Sequence, residues 1–141
     1  MFRRMQDQLQ WRADLLMAAR FEDLSRQFRY PMAIYVNNMP VVILSAEVMI
    51  GKATLLHAAM RTRGVHRCVS TVTALEMPRD GRFRVWARWD EHATDPAQTR
   101  HSSLIHYLRN TGQGYLSEMV DMQRLGAVTR HEDARPARRL A

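Results

Sequence analysis

The first 28 residues carry their large apolar side chains at the spacing of a helix. One stripe with three- and four-residue steps consists of Met5, Leu9, Arg12 and Leu16, and a second consists of Phe21, Leu24 and Phe28. Neither glycine nor proline occurs before Pro31, and a proline disfavours helical dihedral angles in the residue that precedes it. The pattern therefore predicts one bent helix or two helices over residues 2–28.

Two short apolar segments come next, and a second helical pattern follows them. The segments PMAIYV and PVVILS flank Asn37-Asn38-Met39, and asparagine tolerates the positive φ angles of tight turns, so we predict a short hairpin. Ser45 can cap a helix that Gly64 terminates, which predicts a helix from about residue 46 to residue 63. One side of this helix is predicted to carry Val48, Leu55, Leu56, Ala59 and Arg63.

After Gly64 the apolar positions alternate, as they do in strands. The four alternating segments are VHRCVSTVTALEM, RFRVWARWDEHA, TRHSSLIHYLRN and YLSEMVDMQRL. Short turns join them, which predicts an antiparallel meander. We predict a single domain over residues 1–125, and a flexible basic tail over residues 126–141, where large apolar side chains are few.

Helix, hairpin, helix and four long strands, in that order, predict an α+β fold with N-terminal helices packed on one face of a curved antiparallel sheet. The segments FEDLSRQFRYPMAIYV, VVILSAEVMIGKATLLHAAMRTRG, RFRVWARWDE and SLIHYLRNTGQGYLSEMV follow this order. In order and hydrophobic pattern, residues 20–125 resemble the nuclear transport factor 2-like superfamily, which includes SnoaL-like cyclases and relatives of ketosteroid isomerase. The resemblance implies a cone-shaped, cystatin-like fold with a pocket between helices and sheet, and a dimer formed through the sheet.

The chain is strongly basic, with 21 lysines and arginines against 14 acidic residues and a net charge of +7. Such a charge can indicate a nucleic-acid partner. Lys52 is the only lysine, however, and the arginines are spread along the chain, a skew that GC-rich coding can produce, so we expect no nucleic-acid partner.

The apolar runs of the chain are short, and its cysteine is single. Runs such as VVILSA are too short to cross a membrane, and charged residues interrupt any signal-peptide core near the start. We therefore expect no membrane association and a cytoplasmic location. Cys68 has no cysteine partner, and we expect a buried, inert thiol.

The segment RFRVWARWDE separates into two faces, because successive side chains of a strand point to opposite sides. The apolar face, predicted to lie toward the helices, consists of Phe83, Val85, Ala87 and Trp89. The opposite face consists of Arg82, Arg84, Trp86, Arg88 and Asp90. This second face is a solvated surface, a nucleic-acid surface or a protein interface, and we favour a homodimer interface formed by Arg84, Trp86 and Arg88, since arginine and tryptophan are enriched at interfaces.

The six histidines show no paired spacing typical of metal ligands, so we predict neither a metal nor a cofactor. His106 alternates with Leu104 and Leu108 and is predicted to point inward, either as a pocket base or as a hydrogen-bonded interior histidine. The implied function is the binding of a small apolar or carbonyl-containing molecule. The predicted lining consists of Tyr35, Phe83, Trp89, His106 and Met119.

Two alternatives remain open at this point. In the first, the protein is an enzyme of the SnoaL-like or isomerase-like type, with His106 or an inward carboxylate moving a proton and Tyr35 or Tyr107 donating to a carbonyl oxygen. Further acid–base candidates are Tyr30, Glu76, Asp90 and Glu118. None of the acidic or tyrosine side chains can be matched to a catalytic position of the family, which weighs against an enzyme. In the second, the protein is an interaction module without a ligand.

Overall fold

The computed structural model describes residues 1–123 and the backbone of residues 127–128. The helices are α1 (Phe2–Met17), α2 (Phe21–Ser25) and α3 (Ala46–Thr62), with a 3-10 turn at Pro96–Gln98. The strands are β1 (Phe28–Val36), β2 (Met39–Ile43), β3 (Val65–Leu75), β4 (Arg82–Ala93), β5 (Arg100–Asn110), β6 (Tyr115–Met122) and β7 (Ala127–Val128). The predicted α+β class is confirmed, because the helices pack on one face of a curved sheet.

The first helical segment is two helices rather than one. Helix α1 ends where Ala19 takes a φ of 58°, and α2 covers only one further turn or so. The predicted helix extended too far, to residue 28, whereas Phe28 already belongs to β1. The reason is tertiary: the backbone N–H of Ser117 in β6 donates to the carbonyl of Gln27 at 3.0 Å, and Phe28 lies opposite Ser117 in the sheet.

The hairpin and the cap of α3 form as predicted. Asn37 and Asn38 take φ angles of 49° and 69° between β1 and β2. The hydroxyl of Ser45 accepts from the N–H of Val48 at 3.3 Å, and Gly64 follows the helix with a φ of 75°. These local signals fix where the helix begins and ends.

The side of α3 that faces the core was predicted wrongly. Its buried residues are Met49, Ala53 and Met60, whereas Val48, Leu55 and Leu56 are 39%, 73% and 42% exposed. Met49, Ala53 and Met60 are spaced by four and seven residues and therefore lie on one face of the helix. This face packs inward, although it has fewer large apolar side chains than the face that carries Val48, Leu55 and Leu56.

The sheet is mixed rather than purely antiparallel. Its strands follow the order β2-β1-β6-β5-β4-β3, and the predicted meander from β3 to β6 is antiparallel throughout. Strand β1, however, pairs in parallel with β6, so the first and last thirds of the described chain meet side by side.

Strand β7 pairs with the start of β5, where Ala127 lies opposite His101 and Val128 opposite Arg100. The sheet therefore continues past residue 125, into the segment predicted as a tail. The rest of the predicted tail lies outside the described residues. Among the residues described, no helix is long and apolar enough to span a membrane, and the cytoplasmic location stays a prediction.

Candidate functional site: a cavity between helices and sheet

A cavity of about 310 Å³ lies between the helices and the concave face of the sheet. Its walls come from α1, α2 and α3 on one side and from strands β1 to β6 on the other. Most of the lining is apolar, including Leu16, Phe28, Ile43, Met49, Leu104 and Val120. A largely apolar space of this size with a few polar groups is typical of small-molecule sites.

Six polar or charged side chains interrupt the apolar lining. They are Arg12, Lys52, Ser70, Glu91, Ser102 and His106. Lys52 is exposed, and the other three ionisable side chains, Arg12, His106 and Glu91, are held by the surrounding structure.

Arg12 lies in the buried face of α1 and is only 5% exposed. One guanidinium nitrogen, Nη1, donates to the hydroxyl of Ser117 at 2.6 Å, and Nη2 donates to the carbonyl of Gln27 at 3.1 Å. The guanidinium also lies 5.0 Å from the centre of the Phe28 ring, a favourable cation–π distance. Burial lowers the pKa of Arg12 to about 10, partly offset by Tyr30, so the side chain remains charged at neutral pH.

His106 points from β5 into the cavity, as its alternation with Leu104 predicted. Burial, and secondarily the charge of Arg12, lower the pKa of His106 to about 3. The ring is therefore neutral at physiological pH. Its Nδ1 atom is buried and has no hydrogen-bond partner among the described residues.

Glu91 is the acidic side chain of the cavity lining and is 8% exposed. Its carboxylate accepts from the indole Nε1 of Trp89 at 2.9 Å and forms a close ion pair with Arg63, the residue that follows α3. Arg63 also donates to the carbonyl of Gln98 at 3.0 Å. The negative charge of Glu91 is thus compensated within the chain, and the same contacts hold the Trp89 ring in the cavity wall.

The predicted lining residues divide between two sides of the sheet. Trp89 and His106 line the cavity. Phe83 lies on the helix side but belongs to the packed core, where it contacts Tyr115 edge-on with ring centres 5.4 Å apart. Tyr35 and Met119 are next to the lining residues Ile34 and Val120, so their side chains point to the outer face; Tyr107, next to His106, does the same.

Sequence reasoning missed Arg12 and Glu91, although both gave a signal. Arg12 interrupts the apolar stripe of α1, where a charged residue is unexpected. Glu91 continues the alternation of Phe83, Val85, Ala87 and Trp89, and so belongs to the inward face.

On the outer face of β4, the arginines are bound to carboxylates. Arg84 makes a two-pronged contact with Glu76, with nitrogen–oxygen distances of 2.9 and 2.7 Å, and stacks on Trp86 at 5.0 Å. Arg88 donates to Asp90 at 3.0 Å.

The acidic candidates therefore point away from the cavity. Asp90 is on the outer side, as predicted, yet it is only 3% exposed because Arg88 and His101 bind its carboxylate. Glu118 contacts Arg82 at 3.2 Å on the same outer face. Within the described residues, no group of three or more histidine, cysteine or acidic side chains could hold a metal ion.

Solved structures with the same arrangement of elements have very different sequences. A nuclear transport factor 2-like protein of unknown function from Shewanella oneidensis has a TM-score of 0.63 and 9% identity, covering 79% of this chain and 88% of its own. A hypothetical protein with a ketosteroid isomerase-like fold from Catenulispora acidiphila, in complex with trimethylamine, has a TM-score of 0.57 and 14% identity, covering 85% and 86%. A putative scytalone dehydratase from Novosphingobium aromaticivorans has a TM-score of 0.62 and 7% identity, covering 85% and 80%.

These similarities define the class of fold: the chain has the nuclear transport factor 2-like, cystatin-like fold that the sequence pattern resembled. No protein-family model matches this sequence, and no curated protein matches it. At such low identity the shared property is the fold alone, and the same fold can carry many functions.

Proposed function

We propose that this protein binds a small, largely apolar molecule in the cavity between helices and sheet. The observation that carries the proposal is the cavity of about 310 Å³, lined mostly by apolar side chains. Core space is normally filled to the density of an organic crystal, so an unfilled apolar space of this size costs stability unless something occupies it. A structure with the same fold was obtained in complex with a small molecule, trimethylamine.

The chemistry of the lining supports binding over proton transfer. A histidine with a pKa of about 3 is a weak base at neutral pH, because efficient acid–base groups have pKa values near the working pH. Tyr35 and Tyr107, the proposed donors to a carbonyl, are on the other side of the sheet from the cavity. Glu91 is the inward carboxylate, and its charge is held by Arg63.

The test is a titration with N-phenyl-1-naphthylamine, a neutral apolar dye whose fluorescence rises in apolar surroundings. We expect saturable binding of one dye per chain. In the variant Ala53→Phe, a ring added to the buried, cavity-lining face of α3 should abolish binding. Ala59→Phe, the same change on the exposed side of the same helix, is the matched control and should bind normally. Equal binding by both variants would place the dye elsewhere and contradict the proposal.

We also propose that the outer face of the sheet forms a homodimer through Arg84, Trp86 and Arg88. The outer face of this part of the sheet carries the aromatic rings of Tyr35, Trp86 and Tyr107, all of intermediate exposure, beside arginines already fixed by Glu76 and Asp90. Preordered arginine and aromatic side chains lose little conformational freedom on association, which favours an interface.

Sedimentation of Trp86→Ala tests the dimer. We expect the wild-type chain to sediment as a dimer and Trp86→Ala as a monomer at the same concentration. Trp11→Ala is the matched control, since Trp11 is a 46% exposed tryptophan on α1. A monomeric wild-type protein, or a dimer unaffected by loss of Trp86, would contradict this interface.

A further inference from the structure

We infer that the cavity selects molecules in which an apolar body carries a carboxylate, and that Arg12 binds this carboxylate. The inference rests on the proposed function and adds the chemical class of the ligand. Three observations support it: a buried cation without an anion, two unpartnered nitrogen atoms in the same cavity, and a charge balance that leaves the cavity positive.

Arg12 is a buried cation without a carboxylate among the described residues. The ion pairs of this part of the chain involve other side chains, and the partners of Arg12 are a neutral hydroxyl and a neutral carbonyl. Moving a charge out of water typically costs on the order of several kcal/mol unless an opposite charge compensates it. The ring of Phe28 compensates only part of this cost. The guanidinium is already desolvated in the folded protein. A bound anion would therefore be attracted to it without a further cost of desolvating the arginine.

The unpartnered atoms lie at the same end of the cavity. Arg12 Nε and His106 Nδ1 are both buried and make no hydrogen bond with the described residues. Arg12 binds the hydroxyl of Ser117, and Ser117 lies opposite Leu108 in the sheet, two positions from His106 on the same face. A carboxylate between the two side chains would provide acceptor oxygens for both, since neutral imidazole can donate from either ring nitrogen according to its tautomer.

The charge balance of the lining is positive. Glu91 is neutralised by Arg63, which leaves Arg12 and Lys52 as lining cations with no ion pair within the described part of the chain. The rest of the lining is mainly aliphatic and aromatic. A single guanidinium with free donors matches a carboxylate, which accepts through two oxygens, and the apolar walls match a hydrocarbon body.

Octanoate and octanol are the probes, because they have the same chain length and differ at the head group. Each competes with the neutral dye N-phenyl-1-naphthylamine for the cavity at pH 7.5. We expect octanoate to bind at least about tenfold more tightly than octanol, a difference typical of one charge-assisted hydrogen-bonded contact. Equal binding, or tighter binding of octanol, would overturn the inference.

Arg12→Met tests the assigned residue. This variant keeps an unbranched apolar side chain and removes the charge, so octanoate should lose its advantage while octanol changes by less than about threefold. Arg3→Met, the same change at an exposed position of α1, is the matched control and should keep the preference. An unchanged octanoate preference in Arg12→Met would contradict the assignment. If Arg12→Met fails to fold, Arg12→Lys keeps a charge without the fork of donors, and should weaken octanoate binding while leaving octanol binding unaffected.

The same titrations separate failure of this inference from failure of the proposed function. Suppose that the wild-type protein binds the dye, that Ala53→Phe abolishes this binding, and that octanoate binds no better than octanol. The cavity is then still a binding site, and only the carboxylate inference is overturned. Absence of dye, octanol and octanoate binding overturns both.

Discussion

At the scale of single residues, burial removes the charge of one cavity side chain and leaves the charge of another. Arg12 and His106 both line the cavity, yet a pKa of about 10 keeps the guanidinium charged and a pKa of about 3 keeps the imidazole neutral. The difference follows from their ordinary pKa values, 12.5 for arginine and 6.5 for histidine. Burial lowers both pKa values, but that of Arg12 stays above physiological pH, whereas that of His106 falls far below it. The histidine therefore adds a hydrogen-bonding group to the cavity without adding a positive charge.

His106 should make the protein less stable in acid. Its folded pKa of about 3 lies below the ordinary value of 6.5, so the unfolded chain binds a proton in this range that the folded chain does not. The contribution is fully present above pH 6.5 and falls by up to about 1.4 kcal/mol per pH unit toward pH 3. Urea unfolding between pH 7.5 and 4.5 should show a shallower decline for His106→Gln than for the wild type.

The control for this pH dependence is His66→Gln, which changes an exposed histidine. It should decline in parallel with the wild type. Parallel declines for all three proteins would show that His106 does not carry the effect.

Cys68 should be unreactive in the folded protein. It is 1% exposed and lies 3.4 Å from the sulfur of Met17 and 3.8 Å from that of Met60, and burial raises its pKa to about 12. Thiolate is the reactive form, so Ellman's reagent should detect almost no thiol in native buffer and one thiol per chain in denaturant. Rapid reaction in native buffer would mean that β3 opens readily at this position.

At the scale of elements, the sequence predicted boundaries better than faces and partners. Ser45, Asn37 and Gly64 act on their own backbone or that of near neighbours, so their effect can be deduced from the sequence alone. The buried side of α3 depends on what packs against it, and its outward side carries apolar residues as large as those inside, such as Leu55. Periodicity alone could not decide between the two sides.

The candidate site was predictable only in part, for a related reason. Alternation in β5 placed His106 inward, and alternation in β4 would also have placed Glu91 inward had it been followed further. For β1 the alternation gave two sets of residues but not which set faced the helices. Tyr35 was assigned to the cavity, whereas its neighbour Ile34 lines it. The parallel pairing of β1 with β6 decides this, and no local pattern encodes it.

A pair of truncations on α3 should measure which face is buried. Met60 is fully buried and Leu55 is 73% exposed. Met60→Ala should lower the free energy of unfolding by about 2–5 kcal/mol through lost contacts and a new void. Leu55→Ala should change it by less than about 0.5 kcal/mol. Urea denaturation of both variants checks the difference, and similar losses would mean that the outward face of α3 is covered.

At the scale of the whole molecule, the sheet combines strands that are neighbours in sequence with strands that are far apart. Strands β3 to β6 form through short turns, whereas β1 must wait for β6, some 80 residues later in the chain by their bounds. Long loops cost more entropy to close, so local pairs tend to form earlier in folding. We therefore expect β1 to dock on a sheet whose meander is already in place.

Matched valine truncations test this order of events. Val72 in β3 is 4% exposed and Val120 in β6 is 3% exposed, and each loses two methyl groups on change to alanine, worth about 2 kcal/mol. Val72→Ala should mainly slow refolding, because its contacts within the meander form early. Val120→Ala should mainly speed unfolding, because its side chain packs in one cluster with Met32 of β1 and Ile43 of β2, and these contacts form only when β1 docks. Stopped-flow refolding and unfolding, each followed by tryptophan fluorescence, give the two rates, and the reverse pattern would place the β1–β6 junction in the folding nucleus.

The position of Lys52 has a practical consequence. It is the only lysine of the chain, it projects from the exposed side of α3, and it contributes to the cavity lining. Apart from the amino terminus, an amine-reactive reagent therefore has a single attachment point, beside the cavity. The terminal amine has the lower pKa, so acylation near neutral pH blocks it first, and a fluorophore then coupled to Lys52 at higher pH would report occupancy of the cavity without any change to the sequence. The natural sequence thus has a built-in position for an optical sensor of cavity occupancy.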